Sequence, residues 1–255
     1  MNSTDRFTGR VATYNRYRLR YPTATILDRL RLWCHLQPHW RIADIGAGTG
    51  MLTEVFLSNG NPVIAIEPNQ EMRATCADLR TQYPALQLRN TTAESTGLPD
   101  HSIDLISAGR AFHWFNTPRA LAEFNRILQP NGWLVLVSLG RAKIDTPQAR
   151  DFESLLTNHG TDYADYVRGS YRIHENLDQV FTADRHHEQI HGQESLDWES
   201  FLGQTMSLSV TPPRDSPCFP AFHQDLRDYF TTYAIENQLT TPTTCWIDAG
   251  RISAH

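Results

Sequence analysis

A glycine-rich turn between two short apolar segments constrains the fold of this 255-residue chain more than any other feature. Glycines stand at positions 46, 48 and 50, directly after the apolar segment 41–45. A second apolar segment, 63–66, ends in Glu67. This pattern predicts a buried strand, a turn, a helix and a second strand, which is half of a nucleotide-binding α/β domain. Glycine has no Cβ, so the backbone of the turn can approach a ligand closely.

The charges around the turn favour one kind of nucleotide over another. Position 51 is Met, whereas a dinucleotide-binding turn has its third glycine there. Asp44 precedes the turn, and a carboxylate is a poor neighbour for a phosphate but a good one for an amine. Glu67 can accept hydrogen bonds from both hydroxyls of a ribose. The sequence therefore favours a nucleoside with a positively charged amino-acid tail over NAD.

Several segments resemble motifs of class I S-adenosylmethionine (SAM) dependent methyltransferases, and in particular the methyltransferase type 11 group. Residues 44–50 are similar to the first motif of that family, and residues 92–99 to the loop that flanks the adenine. Residues 102–107 and 111–115 resemble the fourth strand and the loop after it. The resemblance implies a methyltransferase that binds SAM and releases S-adenosyl-L-homocysteine (SAH).

The chemistry of these residues and the resemblance together predict the cofactor-binding residues. Asp44 would hold the methionine ammonium, directly or through water, or else cap a turn. Glu67 would bind the ribose, or else cap the helix that opens at Pro68. Arg18 would pair with the methionine carboxylate. The full predicted set is Tyr14, Arg18, Asp44, Gly46, Ala47, Gly48, Glu67, Pro68, Met72, Ala93, Glu94 and Gly109.

Residues after the fourth and fifth strands are candidates for substrate binding and catalysis. His113 could take a proton from a hydroxyl acceptor, because the unperturbed pKa of histidine is close to neutral. The alternative is a packed histidine that shapes its loop. Trp114 would line the acceptor site, and Arg110 or Arg141 could bind an acidic group of the substrate. The sequence lacks the signature of amide-nitrogen methyltransferases, so we expect an acid, phenol or hydroxyl oxygen as acceptor.

Apolar segments along the chain alternate with helical patterns, which predicts a Rossmann-like α/β fold. We expect a seven-stranded, mostly parallel sheet with helices on both faces and a helical lid. The predicted strands are 42–46, 63–67, 86–90, 103–107, 133–139, 187–196 and 244–252. The predicted divisions are an N-terminal helical cap, a SAM-binding core, a substrate-covering insert and a C-terminal completion of the sheet, at 1–36, 37–139, 140–185 and 186–255.

Composition limits the function classes. The formal charge of −5 gives no basic surface for nucleic acid, and no apolar run is long enough to span a membrane. Four scattered cysteines without a signal sequence predict a cytoplasmic protein. His186, His187 and His191 suggest a metal cluster, but no metal is predicted because no cysteine or carboxylate pair lies near them in sequence. We expect a monomer or homodimer. Two alternatives stay open, an NAD-dependent oxidoreductase and a non-catalytic SAM-binding regulatory protein.

Overall fold

One seven-stranded sheet forms the centre of the chain in a computed structural model, which describes residues 11–160, 163 and 177–252. The strand order is β3-β2-β1-β4-β5-β7-β6. Only β7 runs against its neighbours β5 and β6, and the other pairs are parallel. The predicted sheet is thus confirmed. The strands are β1 Ile42–Ile45, β2 Val63–Ile66, β3 Gln87–Arg89, β4 Ile103–Gly109, β5 Leu128–Arg141, β6 Ala183–Leu196 and β7 Leu239–Arg251.

The strand order reverses at β1, which lies between β2 and β4. In open α/β sheets, ligands bind in the crevice at the carboxyl ends of the strands beside such a reversal. All four residues of β1 and of β2 are buried, because helices cover both faces of the sheet. Parallel strands that are buried on both faces appear in the sequence as continuous apolar runs, so both strands could be predicted from the sequence.

Helices flank the sheet and build a separate layer near the carboxyl end of β5. They are α1 Val11–Tyr17, α2 Thr23–Cys34, α3 Met51–Ser58, α4 Gln70–Ala77, α5 Thr117–Ile127, α6 Pro147–His159, α7 Leu177–Val180, α8 Trp198–Met206 and α9 Phe219–Tyr233. Helices α6, α8 and α9 share an apolar core of their own, with Phe152, Phe201 and Phe222 at its centre. None of these helices, within the ranges described above, is long and apolar enough to cross a bilayer.

Element boundaries in the C-terminal part differ from the predicted ones. The strand predicted from His187 begins at Ala183, and the one predicted from Thr244 begins at Leu239. Strand β6 is an exposed edge strand, so its residues lack the apolar alternation that marks a half-buried strand. Helix α9 begins at Phe219, directly before Pro220. Proline is tolerated there because the N–H groups of the first helical turn have no carbonyl partner within the helix, so the N–H that proline lacks is not needed.

The division of the chain into a cap, a core, an insert and a sheet completion stays a proposal. Residues 1–10 of the predicted cap lie outside the described residues, as do residues 161–162 and 164–176 of the predicted insert. The described part of the insert packs through α6 against α8 and α9, which lie between β6 and β7. The helical layer is therefore assembled from two distant stretches of sequence.

Candidate active site

Two adjoining cavities open at the carboxyl ends of the central strands. The smaller one, about 360 Å³, lies beside the glycine turn and the end of β2. The larger one, about 630 Å³, lies between the ends of β4 and β5 and helices α6 and α8. Four residues line both cavities and form a shared wall: Tyr14, Arg110, Ala111 and Trp114.

The glycine turn is held against the end of β2 by backbone hydrogen bonds. The N–H groups of Gly46 and Ala47 both donate to the carbonyl of Ile66, at 2.8 and 3.0 Å. Gly46 has a φ of 68°, and a Cβ added there would lie 2.6 Å from the Cβ of Ala111. Gly48 also has a positive φ, 58°, but a Cβ there would meet no atom within 4 Å. Gly46 is thus required for packing, whereas Gly48 keeps the cavity open.

Asp44 is completely buried at the base of the smaller cavity. Its carboxylate accepts hydrogen bonds from the hydroxyl of Thr53 in α3, at 2.5 Å, and of Ser107 in β4, at 2.8 Å. Burial raises its pKa to about 6, although both hydroxyls act in the opposite direction. The carboxyl is therefore protonated more easily than an exposed aspartate, and a cation in the cavity would stabilise its ionised form.

Glu67 bridges the glycine turn and the loop before α4. Its Oε2 accepts a hydrogen bond from the N–H of Gly48 at 2.9 Å, and its Oε1 accepts one from the N–H of Asn69 at 2.8 Å. The side chain that caps α4 is Asn69, which accepts from the N–H of Met72, so the alternative of Glu67 as the helix cap is wrong. Burial raises the pKa of Glu67. Each carboxylate oxygen accepts more than one hydrogen bond, so capacity remains for a ligand.

A loop after β3 closes the far side of the smaller cavity. Ala93 and Glu94 line it together with Met72, and the carboxylate of Glu94 accepts a hydrogen bond from the N–H of Asn116 at 2.8 Å. That bond ties the loop predicted to flank an adenine to the loop that follows β4. Of the twelve residues predicted to bind the cofactor, all but Arg18 line this cavity.

Helix α1 brings Tyr14 to the shared wall, and Arg18, the residue after the helix ends, lies beside it. The helix packs on α8, where the ring of Tyr17 lies against Gly203 and its hydroxyl donates to Glu199 at 2.7 Å. Tyr14 lines both cavities, and the guanidinium of Arg18 lies 5.3 Å from the centroid of its ring.

Arg18 lines only the larger cavity, where its Nη1 donates to the hydroxyl of Ser207 at 3.4 Å. Burial raises the pKa of Tyr14, but Arg110 and Arg18 outweigh that effect and the net shift is downward. The hydroxyl of Tyr14 therefore lies in a positive field at the contact between the two cavities.

His113 and Trp114 lie in a short 3₁₀ helix, Phe112–Trp114, directly after β4. His113 lines the larger cavity, and its ring centroid lies 4.5 Å from that of Trp114. Burial lowers the pKa of His113 to about 4, with a further contribution from Arg18. Its imidazole is neutral at neutral pH and is able to accept a proton.

Arg110 and Arg141 occupy different positions around the larger cavity. Arg110 belongs to the shared wall and has a φ of 54°, and its guanidinium lies 4.9 Å from the ring centroid of Tyr21. Arg141 lines the larger cavity alone, with its guanidinium 3.3 Å from the ring centroid of Phe152. Burial lowers the pKa of Arg141 to about 10.

Several residues of the site carry no signal in the sequence. Thr53 and Ser107 hold Asp44 from two other elements, and only the strand register, which sets Asp44 opposite Ser107, brings the second one near. Phe152 and Phe201 flank Arg141 from two helices. No spacing rule links residues so far apart along the chain.

The histidines of β6 are engaged by neighbouring strands. His187 Nδ1 lies 2.8 Å from Asp248 Oδ1, and His191 Nδ1 lies 3.3 Å from Thr244 Oγ1, both in β7. His186 stacks on Trp33 with ring centroids 5.3 Å apart. Within residues 11–160, 163 and 177–252, no three potential ligands are grouped so that they could hold a metal ion.

Comparisons with known proteins agree with this geometry. The family model Methyltransf_11, described as a methyltransferase domain, matches residues 43–136. An uncharacterized methyltransferase of Mycobacterium tuberculosis (strain ATCC 25618 / H37Rv) is 37% identical over 131 residues, which is 51% of each chain. An uncharacterized methyltransferase of Schizosaccharomyces pombe is 37% identical over 97 residues, 38% of each chain. The chain thus matches about half or less of the length of these curated relatives.

Solved structures share the fold over nearly the whole chain. A candidate type II methyltransferase from Anaeromyxobacter dehalogenans superposes with a TM-score of 0.66 at 24% identity, covering 94% of this chain and 100% of the other. A phosphoethanolamine N-methyltransferase of Haemonchus contortus, solved with SAH, gives a TM-score of 0.50 at 15% identity, covering 90% and 53%. At these identities the likeness shows the fold alone.

The fold and the site define a Rossmann-like α/β protein with a nucleoside-sized cavity at its strand reversal. Residues 43–136 match a methyltransferase domain, and the curated relatives that share about half of the chain carry methyltransferase names. The chain is thus similar to class I SAM-dependent methyltransferases.

Proposed function

We propose that this chain binds SAM in the smaller cavity and transfers its methyl group to an oxygen of a small molecule in the larger one. The observation that carries the proposal is the shared wall, because it lets two reactants meet while each occupies its own cavity. The larger cavity has the volume of ordinary small-molecule sites. A nucleic acid partner is disfavoured by the net charge of −5.

The residues of the smaller cavity fit SAM. Gly48 leaves space for the nucleoside, and Glu67 would accept hydrogen bonds from the ribose hydroxyls. Asp44 would hold the methionine ammonium, directly or through water. Arg18 lines the larger cavity instead, so its proposed pairing with the methionine carboxylate would have to be made across the shared wall. SAM supplies an electrophilic methyl group, so the protein has to position the acceptor and exclude water.

His113 is proposed as the group that accepts the acceptor's proton. Its imidazole is neutral at neutral pH, because burial lowers its pKa to about 4. So low a pKa makes it a weak base, which suits acids and phenols better than alcohols, because such acceptors ionise with less help. The ring of Trp114 packs against that of His113 at an interplanar angle of 45°.

Turnover tests the proposal directly. The protein would be incubated with SAM and a library of small acids and phenols, and mass spectrometry would detect the methylated product and SAH. His113→Gln should lower kcat without changing the affinity for SAH, whereas the exposed His39→Gln should change neither. SAH binding without turnover on any acceptor would favour a non-catalytic SAM-binding protein. Unchanged kcat in His113→Gln would assign this residue to packing.

NAD serves as a negative control in the same experiment. The match to a methyltransferase domain argues against an oxidoreductase, and Met51 stands where a dinucleotide-binding turn needs glycine. Calorimetry should therefore detect heat with SAH and none with NAD. Heat with NAD alone would contradict the proposal.

A further inference from the structure

Arg141 is held at a fixed place deep beside the helical layer. It is the last residue of β5 and pairs with Thr243 of β7. The N–H of Arg110, on the shared wall, donates to the carbonyl of Val137 at 2.9 Å. Arg141 follows Val137 by four residues, which is roughly 13 Å along a strand. Its backbone therefore lies well away from the shared wall, at the opposite part of the larger cavity.

Two aromatic rings enclose the guanidinium of Arg141. It lies 3.3 Å from the ring centroid of Phe152 in α6 and 5.4 Å from that of Phe201 in α8. Guanidinium groups stack well on aromatic faces while their N–H edge stays available for hydrogen bonds. The rings thus fix the plane of the guanidinium and leave its edge to face a ligand.

The acidic groups around Arg141 are engaged elsewhere. Glu153 accepts a hydrogen bond from the hydroxyl of Tyr163, and Glu194 accepts one from Gln204 at 2.7 Å. Tyr229 donates to the carbonyl of Gln148 at 3.2 Å. Among the residues that the structure describes, no carboxylate lies within ion-pair distance of Arg141, although the charges of Glu153 and Glu194 partly offset the effect of burial on its pKa.

Arg141 is half-buried, and a guanidinium partly removed from water without a paired carboxylate is unfavourable for folding. The same loss of hydration lowers the pKa of Arg141, because burial disfavours its charged form. Apolar residues of similar size would fill this space without the penalty. A bound carboxylate would offset it with two parallel charge-assisted hydrogen bonds, which is the geometry that a guanidinium matches best.

We propose that Arg141 anchors a carboxylate of the methyl acceptor, and that Phe152, which lines the same cavity, packs on the apolar or aromatic body that carries it. The inference rests on the proposed function and specifies its substrate class. The methylated atom lies at the other end of the molecule, beside the shared wall, so the anchored carboxylate is not the group that is methylated.

Three probe pairs test the inference. Benzoate, phenylacetate and 3-phenylpropionate would each be compared with the matching neutral amide by calorimetry, with SAH present. At least one carboxylate should bind about tenfold or more tightly than its amide, since a charge-assisted hydrogen bond contributes that much. Equal binding of acid and amide in all three pairs would overturn the inference.

Variants separate a binding role from a structural one. Arg141→Met should abolish the preference for the carboxylate and raise the melting temperature, because it removes a partly buried charge and keeps the volume. Arg141→Gln gives a second variant should the Met variant not fold, and it should lose the preference as well. Arg150→Gln, which removes a charge from the exposed face of α6, should keep it. Retained preference in the Arg141 variants, or its loss in Arg150→Gln, would overturn the inference.

SAH titrations in the same samples keep the two proposals apart. SAH binding without any carboxylate preference would overturn the anion anchor and leave the proposed function intact. A carboxylate preference that depends on Arg141, in a protein that does not bind SAH, would overturn the proposed function and leave the anion anchor intact.

Discussion

The two cavities differ in how the chain builds them and in the charge they carry. The smaller one is lined mainly by loops at the tips of β1, β2, β3 and β4, each close to its strand in sequence, with Tyr14 added from α1. The larger one depends on helices α6 and α8, which come from distant stretches of the chain. A family can therefore keep its cofactor site in local motifs while its acceptor site varies with the helical layer.

The cavities also differ in the cations that line them. Asp44 and Glu67 line the smaller cavity, whereas Arg18 and Arg141 line only the larger one. The larger cavity is also lined by the carboxylates of Asp145, Glu153 and Asp248. A nucleoside with a cationic tail suits the first, and an anionic acceptor suits the second. Arg110 belongs to both, at the wall where the two ligands would meet.

Blocking the smaller cavity should give the largest effect. Gly48→Val places a branched side chain in open space at a residue with a φ of 58°. We expect the affinity for SAH to fall by about a hundredfold or more, because the side chain fills the nucleoside's space and strains the turn. Calorimetry with SAH measures this loss. Carboxylate binding in the larger cavity should persist, and its parallel loss would show that the cavities are not independent.

Removing the charge of Glu67 should have the next largest effect. Glu67→Gln keeps an acceptor for one of the N–H groups of Gly48 and Asn69 but loses the ionised carboxylate. We expect SAH affinity to fall about ten- to hundredfold, the value of one charge-assisted hydrogen bond. Glu71→Gln, on the exposed side of α4, is the control and should leave the dissociation constant unchanged. An unchanged constant in Glu67→Gln would limit Glu67 to holding the turn.

The buried carboxyl of Asp44 predicts a pH dependence of cofactor binding. Burial raises its pKa to about 6, so the carboxyl is ionised at pH 7 and largely neutral at pH 5. Because only the ionised form attracts an ammonium, SAH affinity should fall about tenfold between these pH values.

Calorimetry across this range checks the dependence, and Asp44→Asn should flatten it. A slope that survives in Asp44→Asn would point to Glu67, whose pKa is also raised by burial and which faces the same cavity.

The smallest effect is expected at the shared wall. Tyr14→Phe removes one hydroxyl from a residue that lines both cavities. A single neutral hydrogen bond contributes about 1 kcal/mol, so the affinities for SAH and for the carboxylate probe should each fall by about fivefold. Titrating each ligand with and without the other measures the effect. A change confined to one ligand would show that Tyr14 serves one cavity only.

The sequence predicted the sheet and the smaller cavity because their signals are local. The apolar runs of β1 and β2 and the acid after β2 lie within one short stretch. The bounds of strand β6 were harder to predict, because an exposed edge strand has no buried face and its sequence therefore shows no regular alternation of apolar residues.

The surroundings of Arg141 could not be predicted. The residue itself was located from its place after the fifth strand, but Phe152 and Phe201 reach it through the packing of two separate helices. Such contacts depend on tertiary packing, which no spacing in the sequence encodes. The same holds for Arg18, which the packing of α1 on α8 directs to the larger cavity.

A crystal structure of the protein with SAH tests the central claim most directly. The account predicts the adenosine in the smaller cavity, with the ribose hydroxyls within hydrogen-bonding distance of Glu67 and the sulfur at the wall formed by Tyr14, Arg110 and Trp114. It also predicts that the larger cavity stays open to a second ligand. SAH found in the larger cavity, or with its ribose away from Glu67, would contradict the account.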